Sequence, residues 1–187
     1  MKKFLNNAWG FHRASALKPS ARIGGFVLLS LLTGMGLSAA AWLVTGQSLR
    51  GVLAAVTGQS LSFFGSALFL ALCTAVLGGL THSLFCGGAV TAALCMLAAF
   101  VNHYKMLITS TPLELQDLAL IGQAGNIAGL NAQYLTLSRN SVLALSAVLL
   151  WLAVLWFFSR PLRLNIKSGL CVFAGAALCF GLAFFVF

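Results

Sequence analysis

Carboxylates are almost absent from this chain: among 187 residues only Glu114 and Asp117 are acidic, and charged residues of both signs make up 7% of the sequence. Soluble globular domains carry charge at roughly a quarter of their positions, so a water-covered fold is excluded. What charge there is leaves long stretches empty. No Asp, Glu, Lys or Arg stands between Arg22 and Arg50, between Arg50 and Lys105, between Arg139 and Arg160, or after Lys167. A helix needs about 20 apolar residues to cross the hydrocarbon core of a bilayer. The stretch from Arg50 to Lys105 holds two crossings and each of the others one, which predicts five.

Other absences narrow the reading. The five cysteines, Cys73, Cys86, Cys95, Cys171 and Cys179, show no CxxC spacing and all fall inside apolar runs, so they report packing rather than a redox compartment. The basic tail with Lys2, Lys3, Arg13, Lys18 and Arg22 precedes the first apolar run. That run is too long for the core of a cleaved signal peptide, and Trp42 and Thr45 offer no small-x-small exit site, so it is expected to be retained. No ionisable side chain other than His82 and His103 interrupts the helices, which argues against a transport pathway.

What is present is apolar: 60% of the residues are hydrophobic and the mean hydropathy is +1.00. The chain is an integral membrane protein of the all-α class, expected to form a polytopic five-helix transmembrane bundle with short interfacial helices. The net charge of +9 would suggest nucleic acid in a soluble protein. Here the cations sit at helix ends, where orientation and anionic headgroups account for them, and no nucleic-acid partner is expected.

The expected helices run from Ile23 to Val44, Phe63 to Leu80, Leu84 to Val101, Ser141 to Phe158 and Ser168 to Phe187. Thr81-His82-Ser83 makes a tight hairpin of the second and third, and Pro161 closes the fourth. Residues 1–22 form a basic tail and residues 23–187 the transmembrane domain, with an interfacial loop over residues 102–140. The tail and the turn bearing Arg160, Arg163 and Lys167 hold eight of the 11 basic residues, against Arg50, Lys105 and Arg139 on the other side. The positive-inside rule then puts the N-terminus in the cytoplasm and the C-terminus outside a cell membrane. Trp42, Tyr104 and Trp156 fall near the interfaces; Trp151 does not, and is expected to pack against another helix.

Gly34 with Ser38, Gly88 with Ala92, and Ala177 with Gly181 are spaced four apart, which lets helices approach closely within one bundle. After the first helix, Thr45-Gly46-Gln47-Ser48-Leu49 repeats as Thr57-Gly58-Gln59-Ser60-Leu61. Between the copies Leu49, Val52, Leu53 and Val56 share one helical face with Arg50 opposite, which reads either as a short helix on the outer leaflet or as a linker that avoids exposing backbone to lipid.

The loop holds both acids. Thr111-Pro112-Leu113-Glu114 is a helix start: Thr111 caps, Pro112 suits the first turn, and Glu114 reaches back to free amides. Glu114 and Asp117 share a face, but no third ligand stands at metal spacing. Asp117 is expected to accept hydrogen bonds or to pair with Lys105 or Arg139. His82 and Cys86 are two possible ligands without a third, and His103 reads as interfacial. No catalytic residue and no metal ligand is assigned.

Asn102-His103-Tyr104-Lys105, followed by Thr111-Pro112-Leu113-Glu114-Leu115-Gln116-Asp117-Leu118, resembles the membrane domain of the lipoteichoic acid synthase family. Its members share a basic cytoplasmic start, five membrane helices, Asn-x-x-Lys and then Pro-x(4)-Asp-Leu between helices three and four, and an extracellular C-terminus. Ser110-Thr111 stands where the family often has a glycine before the proline. The resemblance implies an extracellular catalytic domain of the alkaline phosphatase and sulfatase type, with a threonine nucleophile and manganese, transferring glycerol phosphate from phosphatidylglycerol to a growing polymer. That domain, and its manganese, are expected to lie outside this chain, in cis or in trans.

The expected function is therefore that of a membrane anchor for such a phosphoglycerol transferase in cell-envelope synthesis, inactive by itself. A stand-alone membrane scaffold or partner-binding protein is the alternative. The lipid bilayer is the expected partner, including anionic phospholipid such as phosphatidylglycerol, with Asn102, Lys105, Asp117 and Arg139 as candidates for headgroup contact.

Overall fold

The computed structural model describes residues 19–45, 48–58, 60–111, 138–162, 164 and 166–186. Among them there is no strand, and six α-helices follow one another: α1 (Pro19–Val44), α2 (Leu49–Gly58), α3 (Ser60–Leu80), α4 (Leu84–Thr109), α5 (Arg139–Ser159) and α6 (Ile166–Val186), with a 3-10 turn over Arg160–Leu162 between the last two. The helices α1, α3, α4 and α5 are long and apolar enough to cross a membrane. They alternate in direction. One end of the bundle, the turn end, gathers the start of α1, the α3–α4 hairpin and the α5–α6 connection, and the opposite loop end gathers α2, the end of α4 and the start of α5.

Each apolar run becomes a helix because a backbone without water must satisfy its own polar groups. The helices also outrun the apolar stretches. Pro19 opens α1, where a missing N–H costs nothing, so Arg22 lies in the first turns of the helix rather than in the tail. The largest departure is at α4. Hydropathy places the end of the third helix at Val101, with Asn102 opening the loop, but α4 continues through Asn102, His103, Tyr104 and Lys105 to Thr109, and α5 begins at Arg139. Backbone hydrogen bonding does not end where hydropathy ends, and Ser110, in the left-handed conformation at φ 56°, terminates the helix by donating its N–H to Met106 O at 3.1 Å.

The short helix α2 exists, and Ser48 starts it by accepting the Gly51 N–H at 3.1 Å. Its expected single apolar face is divided: Val52 is buried, while Leu49 and Leu53 are 65% and 68% exposed. A one-sided contact with the bundle cannot cover a face that wide.

Central in the bundle is α3, which packs against α1, α4 and α6. Small residues set these contacts. A Cβ on Gly34 of α1 would strike the backbone of Ala67 and Ala71, and one on Gly79 of α3 would come within 3.0 Å of Gly169 O in α6. Dispersion at short range, rather than apolar burial, holds helices together in lipid. Two apolar clusters result, one nearer the loop end around Leu37, Val44, Met96 and Val148, the other nearer the turn end around Phe26, Leu84, Leu155 and Val172.

Candidate functional site

The turn joining α3 and α4 fixes the geometry of everything beyond it. Ser83 N–H reaches Gly78 O at 3.0 Å and His82 N–H reaches Gly79 O at 3.4 Å, the paired bonds of a Schellman motif. His82, not glycine, holds the left-handed position at φ 53°. Ser83 then caps α4 by accepting the Cys86 N–H at 3.5 Å, so one residue ends a helix and the next begins another. The imidazole of His82 packs at the start of α6: its Nδ1 is buried, and a Cβ on Gly169 would lie 2.5 Å from it. His82, half-buried, is thus a packing group at a three-helix joint.

Immediately past this turn α3 and α4 touch backbone to backbone. A Cβ on Gly87 would stand 2.6 Å from Gly78 Cα and 2.6 Å from Thr74 O. Larger residues follow toward the loop end, and there the two helices bound a cavity of about 1010 Å³. Its α3 wall includes Ser66, Phe69, Cys73 and Leu77, and its α4 wall Thr91, Cys95, Ala98 and Asn102; Trp42 of α1 and Ala177 of α6 complete it. The lining is overwhelmingly apolar; Thr45, Ser66 and Asn102 stand at the loop end, and Thr91 at the deep end donates its hydroxyl to Gly87 O at 2.8 Å.

Thr91, Cys95, Ala98 and Asn102 recur at helical spacing along one stripe of α4, and one turn further the same stripe reaches Lys105. Of the residues singled out in the sequence, Asn102 and Lys105 are therefore brought onto one face, with Asn102 in the mouth of the cavity. Arg139 stands at the same end as the first residue of α5, whose cap Ser138 accepts the Ser141 N–H at 3.1 Å. Thr111 follows Ser110 in a bend. Pro112, Glu114 and Asp117, with the expected interfacial helix they begin, lie outside the described residues, as does the tail bearing Lys2, Lys3, Arg13 and Lys18.

Polar groups inside the bundle mostly serve packing. Trp151 of α5 donates its indole N–H to Thr33 Oγ1 of α1 at 3.1 Å, and Thr33 donates in turn to Leu29 O at 2.7 Å, so Trp151 does pack against another helix. Ser38 Oγ and Ser66 Oγ are hydrogen-bonded at 2.9 Å between α1 and α3. At the turn end the guanidinium of Arg160 lies 3.7 Å from the ring centre of Trp156, a cation–π pair suited to a membrane interface. Among the described residues no three His, Cys, Asp or Glu side chains converge.

Sequence reasoning missed the cavity, because a run of apolar residues does not tell where two helices part. The available signal was the α4 stripe, whose small and polar members differ from the leucines around it. Comparison with family models, with curated proteins and with solved structures finds no match to this chain.

Proposed function

We propose that this chain is the membrane domain of a phosphoglycerol transferase of the lipoteichoic acid synthase kind. It crosses the cell membrane five times with its N-terminus in the cytoplasm, and holds an extracellular sulfatase-type domain, in cis or in trans, at the outer leaflet for synthesis of a cell-envelope polymer. The observation that carries the reading is the extension of α4 beyond its apolar part, which puts Asn102 and Lys105 of the family-like Asn-x-x-Lys segment on one helical stripe at the loop end. Supporting the fifth crossing is the 21-residue length of α6, about 30 Å at ~1.5 Å per residue.

In this reading the division of labour is physical. The catalytic domain moves the phosphoryl group, and the membrane domain confines it beside its lipid substrate at an effective concentration on the order of millimolar. Lys105 and Arg139 meet anionic headgroups, and Asp117 orients one of them. The test is the genomic frame around the last codon and the proteins bound to the tagged chain in its own membrane. A sulfatase-type domain continuous with the chain or stoichiometrically bound to it supports the reading. A complete reading frame with no such domain attached or bound leaves a stand-alone scaffold instead.

A further inference from the structure

Resting on the reading of this chain as a lipid-contacting membrane domain, we infer that the cavity between α3 and α4 is a binding groove for one acyl chain of an outer-leaflet glycerolipid whose anionic headgroup lies at Asn102 and Lys105. Length argues for this first. From Thr91 to Asn102 the α4 wall rises about 17 Å at ~1.5 Å per residue, and the α3 wall from Ser66 to Leu77 matches it. One leaflet of a ~30 Å hydrocarbon core is about 15 Å deep. The groove therefore has the length of a single lipid tail.

Its floor is closed near the turn end. At Gly87 the backbone of α3 leaves no room for a Cβ, and one on Gly78 would stand 2.8 Å from the Phe26 ring of α1, so a chain entering from the loop end has no route past this contact. Its polarity is graded in the same sense. The deep wall is Leu77, Val76, Cys73 and Leu94 with Thr91, which donates its hydroxyl to Gly87 O at 2.8 Å, and the mouth is Thr45, Ser66 and Asn102. Charge completes the match, since Lys105 continues the α4 stripe just beyond the mouth and Arg50 and Arg139 stand at the same end. A volume of about 1010 Å³ is at the upper end of ligand pockets, which hold roughly 300–1,000 Å³.

In lipid an acyl chain gains little from apolar burial alone, because the surrounding tails are equally apolar. Selectivity must come from shape and from the headgroup, which is why the lining includes small residues and the mouth is cationic. A groove without headgroup selection would hold any passing lipid.

The test uses the full chain in nanodiscs containing phosphatidylglycerol or phosphatidylcholine with a diazirine midway along one tail, and maps crosslinked peptides by mass spectrometry. Labelling by phosphatidylglycerol should concentrate on residues 66–77 and 91–102 and should be competed by unlabelled phosphatidylglycerol. Ala98→Trp, which fills the groove from an exposed position, should reduce it to the level of the other helices, while Leu150→Trp on the exposed face of α5 should leave it unchanged. Lys105→Gln should reduce the preference for phosphatidylglycerol over phosphatidylcholine about fivefold, the scale of one cation at an anionic surface. Labelling spread evenly over the lipid-facing helices and insensitive to Ala98→Trp would mean annular lipid only and overturn the inference. So would the absence of groove labelling in the unsubstituted protein, as when another part of the chain fills the space. Because no catalytic domain is needed for this readout, its failure leaves the anchoring function standing, and the loss of that function leaves the groove.

Discussion

Gly87 of α4 lies against Gly78 of α3 so closely that a methyl group on Gly87 would stand 2.6 Å from the Gly78 Cα. This contact closes one end of the helix pair, and the pair opens from it into the groove. Replacing Gly87 by Leu should push the helices apart at the turn end and destabilise the fold by about 1–3 kcal/mol, the usual cost of overpacking. Gly36, where an added Cβ would meet nothing within 4 Å, provides the control: Gly36→Ala should be neutral or stabilising by about 0.5–1 kcal/mol. Unfolding in mixed micelles by titrated denaturing detergent measures both.

The Trp151–Thr33 hydrogen bond joins α5 to α1 in the middle of the bundle. A double-mutant cycle with Trp151→Phe and Thr33→Val should give a coupling of about 0.6 kcal/mol, typical of hydrogen bonds between membrane helices. Additive effects of the two substitutions would show that the bond contributes nothing to stability.

Thr74 presents the opposite case. It is fully buried, and its Oγ1 has no hydrogen-bond partner. An unsatisfied buried hydroxyl is costly where an apolar group of equal shape is not, so Thr74→Val should raise stability by about 1 kcal/mol. A loss of stability in the same micelle titration would mean that the hydroxyl finds a partner.

The chain by itself should neither hydrolyse nor transfer phosphate. In liposomes of phosphatidylglycerol with manganese, purified protein should release no diacylglycerol above a protein-free control. Reproducible release abolished by Asp117→Ala would move catalysis into this chain.

The helices were legible in the sequence because their apolar spans hold no charge: the runs between Arg22 and Arg50, Arg50 and Lys105, Arg139 and Arg160, and after Lys167 hold most of α1, α3, α4, α5 and α6, while α1, α4 and α6 each reach past a flanking cation. Trp151 was legible by its depth, since a tryptophan far from either interface needs a partner for its N–H. The extension of α4 to Thr109 was not, because hydropathy falls at Asn102 while the helical hydrogen bonds continue. The packing role of His82 was hidden as well, since nothing in the order of residues shows that Gly169 of α6 lies against its ring. The candidate site divides in the same way: Asn102 and Lys105 are local and readable, while the groove beside them depends on the angle at which α3 and α4 part.

In the proposed reading the two ends of this membrane domain lie on opposite faces of the bilayer, and its C-terminal end carries an extracellular domain. The most direct measurement is paired topology reporters in the native type of membrane, fused before Met1 and after Phe187. A reporter active only in the cytoplasm should work at Met1, and one active only outside should work at Phe187. Both ends scoring as cytoplasmic would mean an even number of crossings and would contradict it.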